Sequence, residues 1–164
     1  MTDLALALRR PRPILGRLVI VGVLAMGLAG CNELAGGGLA PGLVAQMDAP
    51  GASLDRPSAI AIINQYRGTV GAGQLTGDPT LDATAQGLAQ AYAKTGKSPT
   101  LPAGASAIRT SAGYGNFAET FSGWRNNPAD AAALATAGAR RAGIAAVYDA
   151  SSTYGVYWVL VLAG

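Results

Sequence analysis

The side chains with which this chain could do chemistry are few. Its 164 residues include no histidine and a single cysteine, Cys31. A serine or cysteine nucleophile therefore has no imidazole to activate it, and neither a histidine site nor a multi-cysteine site for zinc can be assembled. Carboxylates remain. Glu119 and Asp130 stand eleven residues apart across a helix break and could in principle share general acid and base roles. Each also has a plainer reading, which we prefer: Glu119 as a solvated helix face, and Asp130 in the first turn of a helix, where a negative charge complements the helix dipole.

The surroundings of Cys31 give it a different chemistry. Arg9, Arg10, Arg12 and Arg17 form a basic start, Leu18 to Gly27 (LVIVGVLAMG) an apolar run, and Leu28, Ala29 and Gly30 a small-residue end. These are the three zones of an export signal, and the apolar run falls short of the ~20 residues that span a bilayer. Leu28-Ala-Gly-Cys31 resembles the lipobox of bacterial lipoproteins, in which the cysteine thiol receives a diacylglyceryl group and the preceding signal is removed. The resemblance implies a cell-envelope protein held by lipid on Cys31 and facing the periplasm. Asn32, not Asp, follows the cysteine, which leans the expectation toward the outer membrane over the inner one. Four of the 12 basic residues and one of the 9 acidic residues precede Cys31, leaving eight of each in the mature chain. The high overall pI thus belongs to the signal, Arg140-Arg141 is too short for a basic patch, and no nucleic-acid partner is expected.

Three segments follow: a signal peptide over 1–30, the lipidated cysteine with a flexible Gly/Ala/Pro tether over 31–55, and one folded domain over 56–164. In the domain, Pro57 with Ala59, Ile60 and Ile63 marks a first helix stopped by Gly68, Gly71 and Gly73. Asp78-Pro79-Thr80 opens a second helix through Leu81, Ala85, Leu88 and Tyr92, with Gly96 as its stop. Residues 97–115 read as loop with at most a short strand around Ala107. A short helix spans Phe117 to Arg125, and Asn127 caps an Ala-rich helix from Pro128 to Ala139. Gly143–Tyr148 and Val156–Ala163 read as an antiparallel hairpin whose second strand is apolar enough to be buried on both faces. Helices followed by a terminal hairpin imply an α+β sandwich.

The order of these blocks resembles the CAP superfamily (cysteine-rich secretory, antigen five and pathogenesis-related proteins), in particular its small bacterial members. Asn64-x-x-Arg67, the glycine stretch to Leu75, and Asp78-Pro79-x-Leu81 with Ala85 and Ala89 are similar to the family's opening pattern. Ser111 to Trp124, then Trp124 to Asp130 with Leu134, are similar to its central blocks, and Gly143-Ile-Ala145 with Tyr157-Trp158 to its closing strands. The resemblance implies a three-layer αβα sandwich with a C-terminal antiparallel hairpin and a cleft that in well-kept members holds two histidines and acidic residues, in some with a divalent metal. Aligned on Trp124 and Pro128, the second histidine position is Asp130 here. The Glu-Asn pair becomes Ile108-Arg109, and the first histidine position falls in the loop near Ser98. Such a site is degenerate: an aliphatic Ile108 offers no donor, so neither metal nor cofactor is expected. Of the aromatic residues Tyr114, Phe117, Phe121, Trp124, Tyr157 and Trp158, most are needed for the core of a small domain without disulfides, and Tyr114 and Trp124 are candidates to line the cleft. Arg67 is expected at the surface or pinning a loop.

The function these features imply is a non-enzymatic binding or interaction module recognising a lipid, a glycan or an envelope protein. The alternative is a divergent hydrolase or protease with a carboxylate-based site.

Overall fold

A computed structural model describes residues 38–164; the signal, Cys31 and the first part of the tether lie outside the described residues. The elements are α1 (Pro41–Val44), α2 (Arg56–Thr69), β1 (Thr76–Gly77), α3 (Pro79–Thr95), β2 (Ala107–Ala112), α4 (Phe117–Asn126), α5 (Pro128–Leu134), β3 (Arg141–Tyr148) and β4 (Val156–Ala163). Side chains mark the helix starts. Asp55, Asp78, Asn116 and Asn127 each accept hydrogen bonds from backbone amides of the first turn, which those amides cannot find within the helix. The stop expected at Gly96 is an αL cap with φ 66°, whose N–H bonds the carbonyl of Tyr92.

The sheet has the order β1-β3-β4-β2, antiparallel except for the short parallel β1–β3 pair. Hairpin β3–β4 forms its centre, and every residue of β4 is buried, as the apolar run VYWVLVLA requires of a strand covered on both faces. Alternation along β4 feeds two cores. Trp158, Leu160 and Leu162 join Ile63, Phe117, Phe121 and Trp124 under α2, α4 and α5. Val159 and Val161 meet Ala85 and Ala89 of α3 on the other face. The architecture is therefore the expected α+β sandwich of three layers.

Close approach of α3 to the sheet depends on one residue. A methyl group at Gly143 would be driven into the backbone of Leu81 and Asp82, which no side-chain rotation can relieve. Gly143→Ala should therefore shift α3 off the sheet and cost about 1–3 kcal/mol or more, read as a lowered urea midpoint. Next to it, side chains finish the outer edge of β3 beyond the two residues of β1. Asp82 accepts from the Ile144 amide (2.9 Å) and Arg56 donates to the Ile144 carbonyl (2.8 Å), standing in for a neighbouring strand. Asp78 bonds Arg141 at 2.7 Å; the Thr80 amide and this guanidinium hold its carboxyl below the ordinary range.

Two expectations need correction. Residues 38–55 are not free tether: they belong to the compact unit 38–164, with Leu43, Met47 and Leu54 buried in the larger core and the Met47 amide bonded to the Gly115 carbonyl at 2.8 Å. Apolar residues this sparse show no period, so only the surface they meet identifies them as core. The Ala-rich helix α5 ends at Leu134, not Ala139, because the buried Arg67 guanidinium takes the carbonyls of Leu134, Thr136 and Ala139. Gly138 in the same stretch has φ 79°, which no α-helix continues through.

Candidate functional site

The positions at which the resemblance sets a site fall on β2 and α5. Strand alternation sends neighbouring side chains to opposite faces, so Ile108 and Arg109 part company. Ile108 packs in the α3-side core, while Arg109 crosses to α5 and forms an ion pair with Asp130. Both charged side chains are about one-quarter exposed, at 25% and 28%. Asp130 sits at the third position of α5, behind the Asn127 cap whose side chain accepts from its amide (3.2 Å). It thus satisfies both the helix dipole and a guanidinium. Of the three positions, the structure brings together Arg109 and Asp130 and separates Ile108 from them. Ser98 is separated too: its hydroxyl pairs with that of Thr110 at 2.7 Å, and Thr110 shares the face of Ile108.

The two carboxylates of the acid–base reading hold separate tasks. Glu119 reaches back to the Gly115 amide (3.3 Å) while its own amide donates to the Asn116 cap (3.0 Å), a reciprocal lock on the start of α4. Asp130 is committed to Arg109 and α5. Among the described residues no group of three or more His, Cys, Asp or Glu is placed to hold a metal ion.

Trp124 does not line a cleft. It is buried, because Phe117, Thr120, Phe121 and Trp124 recur at helical spacing and form the core-facing stripe of α4. Its indole N–H donates to the Thr110 carbonyl at 3.1 Å. Tyr114 is 39% exposed and its ring covers Gly123. Two open depressions, of about 510 Å³ and about 440 Å³, lie elsewhere. One is flanked by Pro50, Lys94 and Tyr148, the other by Leu54, Arg56 and Asp82, and neither includes Ile108, Arg109, Tyr114, Trp124 or Asp130.

The opening motif Asn64-x-x-Arg67 proves to be a structural clamp. Asn64 holds both backbone groups of Leu75 (2.9 and 2.8 Å), fixing the loop that leads into β1. Arg67 pins the same loop through the Gly73 carbonyl (2.6 Å) and reaches α5 through Leu134. It is fully buried with no carboxylate partner among the described residues, and that burial, reinforced by the charge of Arg140, lowers its pKa from the ordinary arginine value. Of the two alternatives for Arg67, loop-pinning is the one observed. Resemblance to the family's opening pattern brought Asn64 and Arg67 to notice; the burial of the guanidinium carries no sequence signal.

Comparisons with known proteins agree with this architecture. The crystal structure of MpPR-1i soaked with selenourea is similar at a TM-score of 0.50 and 14% identity, covering 65% of this chain and 88% of that one. An outer surface protein from Borrelia burgdorferi is similar at a TM-score of 0.47 and 17% identity, covering 66% and 92%. No curated protein sequence matches. Residues 60–162 match the family described as CAP, cysteine-rich secretory protein family. That match spans well over half of the chain, from the first clamp helix to the last strand of the sheet, and the protein belongs to the CAP family.

Proposed function

We propose that this CAP domain is a non-enzymatic binding or interaction module of a bacterial cell envelope, anchored by lipid on Cys31. The observation that carries the reading is the Arg109–Asp130 ion pair, which occupies two of the positions where the family resemblance sets a polar site. A guanidinium neutralises the only carboxylate there, in a chain with no histidine. Such a degenerate site has neither a free base nor a set of converging donors. Its ligand is a lipid, a glycan or another envelope protein, and fold alone does not choose among them. The export zones and the Leu28–Cys31 lipobox support anchoring with the domain on the periplasmic side, the outer membrane being preferred through Asn32.

The catalytic half is tested with the mature domain, residues 32–164, on a broad panel of peptide, ester and glycan substrates. No turnover is expected; turnover abolished by Asp130→Asn would replace this reading with a carboxylate hydrolase. The anchoring half is tested by metabolic labelling with a fatty-acid probe. Because each buried CH₂ of an acyl chain contributes about 0.8 kcal/mol, the lipid dominates membrane attachment. Wild type should take the probe and Cys31→Ser should not; equal labelling of the two would sink the lipoprotein reading.

A further inference from the structure

The compact unit starts much closer to Cys31 than a 25-residue tether would place it. Leu39 is eight residues beyond the cysteine, and the chain is then fixed by Leu43 and Met47, both buried, and by the Met47–Gly115 backbone bond. Eight residues reach at most ~29 Å when fully extended. That limit is only about equal to the ~28 Å that twice the radius of gyration of such a domain would give. The α1 surface is thus the part of the domain that must stay near whatever holds Cys31.

That surface is unusual in composition. No charged residue occurs from Leu34 to Met47. Leu39 is 53% exposed and Val44 45% exposed, two of the six large apolar side chains left in solvent among the described residues. In α1, Leu43 turns into the core, while Leu39, Ala40, Pro41, Val44 and Ala45 are exposed around it. Tyr114 adjoins Gly115, the residue to which this segment is hydrogen-bonded, and an exposed tyrosine suits a boundary between apolar and aqueous phases.

We infer that the α1 surface, through Leu39 and Val44, rests in the headgroup region of the bilayer carrying the anchor, so that the domain is oriented on the membrane and does not stand off it. This inference rests on the lipid-anchor reading of Cys31. Two aliphatic side chains would hold a free domain only weakly, but next to an inserted acyl chain their partitioning becomes intramolecular and is favoured by effective concentration. Leu101, exposed in the loop between α3 and β2, lies outside this segment and serves as the comparison site.

The test uses full-length protein processed in a lipoprotein-competent bacterial host, extracted in detergent and reconstituted into phosphatidylethanolamine–phosphatidylglycerol vesicles. With Cys31 acylated, a cysteine introduced by Leu39→Cys, Val44→Cys or Leu101→Cys is the only free thiol and takes an environment-sensitive fluorophore. Labels at 39 and 44 should shift to the blue and be quenched several-fold more strongly by a lipid-borne quencher than the label at 101. Val44→Asp should weaken the quenching at 39 with fatty-acid incorporation unchanged. Equal, weak quenching at all three sites in protein that carries the fatty-acid probe would overturn the docking and leave the anchor standing. Equal, strong quenching would overturn the choice of face. Protein that takes no probe would overturn the anchor and the docking together.

Discussion

Arg67→Met will remove a large part of the stability of this domain, about 3–5 kcal/mol, although the substitution retains most of the aliphatic stem and deletes a charge that has no carboxylate partner among the described residues. The guanidinium is buried and held by carbonyl oxygens alone: Gly73 at 2.6 Å, Leu134 at 2.5 Å, Thr136 at 3.4 Å and Ala139 at 3.3 Å. Two segments, the loop at Gly73 and the stretch 134–139, meet on its planar fork, which is why arginine suits the position. Removing the fork leaves carbonyls without donors in a region closed to water, each costing about 1–3 kcal/mol if nothing rearranges. Arg67→Lys should recover only part of the loss, since a single ammonium cannot address carbonyls spread across a guanidinium. Urea unfolding of the three proteins checks this. Wild type should have the highest midpoint, lysine an intermediate one and methionine the lowest. A methionine variant with an unmoved midpoint would mean that the loop and the end of α5 hold their shape without the clamp.

Trp158→Ala is expected to cost about 3–5 kcal/mol, and for a different reason. The indole is fully buried at the centre of β4, with its ring centroid 5.8 Å from that of Phe117, and its N–H donates to the Tyr114 carbonyl at 2.9 Å. Truncation opens a cavity where sheet, α4 and the Tyr114 turn meet, and also frees an acceptor. Trp158→Phe separates the two effects, because it retains most of the packing and loses only the hydrogen bond, for about 1 kcal/mol plus a smaller cavity. Since a domain of this size is stable by about 5–15 kcal/mol, the alanine variant should unfold at much lower urea. A midpoint close to that of wild type would show that β4 is not the centre of the core.

The elements that could be read from the sequence are those with a sustained period or a chemical boundary. The helix through Leu81, Ala85 and Leu88 between Asp78 and Gly96 has both, and the hairpin read over 143–163 has apolar β-branched runs with a polar turn between them. Failures have the opposite character. Thr76–Gly77 is a strand of two residues, too short to alternate, and exists because its backbone meets Arg141 and Ala142. Leu43 and Met47 are isolated apolar residues in a Gly/Ala/Pro-rich stretch, and composition made them look like tether. At the candidate site the positions Arg109 and Asp130 were legible from motif order, but the ion pair depended on which face each β2 residue takes. Trp124 was misplaced because an aromatic residue near a presumed cleft serves core and groove equally well until the stripe of α4 is oriented.

The same ion pair is where the account is most exposed. A metal-dependent site needs several oxygen or nitrogen donors converging on one point, and the aligned positions supply one carboxylate, Asp130, already paired with Arg109. A ligand that binds the native state stabilises it by RT ln(1 + [L]/Kd), so a built site announces itself as a rise in melting temperature. The measurement is thermal unfolding of residues 32–164 across a micromolar titration of zinc or calcium, repeated with chelator and with Asp130→Ala. The account predicts no saturable rise in Tm and no fall with chelator. A saturable rise that disappears in Asp130→Ala would contradict it, showing that Asp130 serves a metal in preference to Arg109 and that this site retains the means for catalysis.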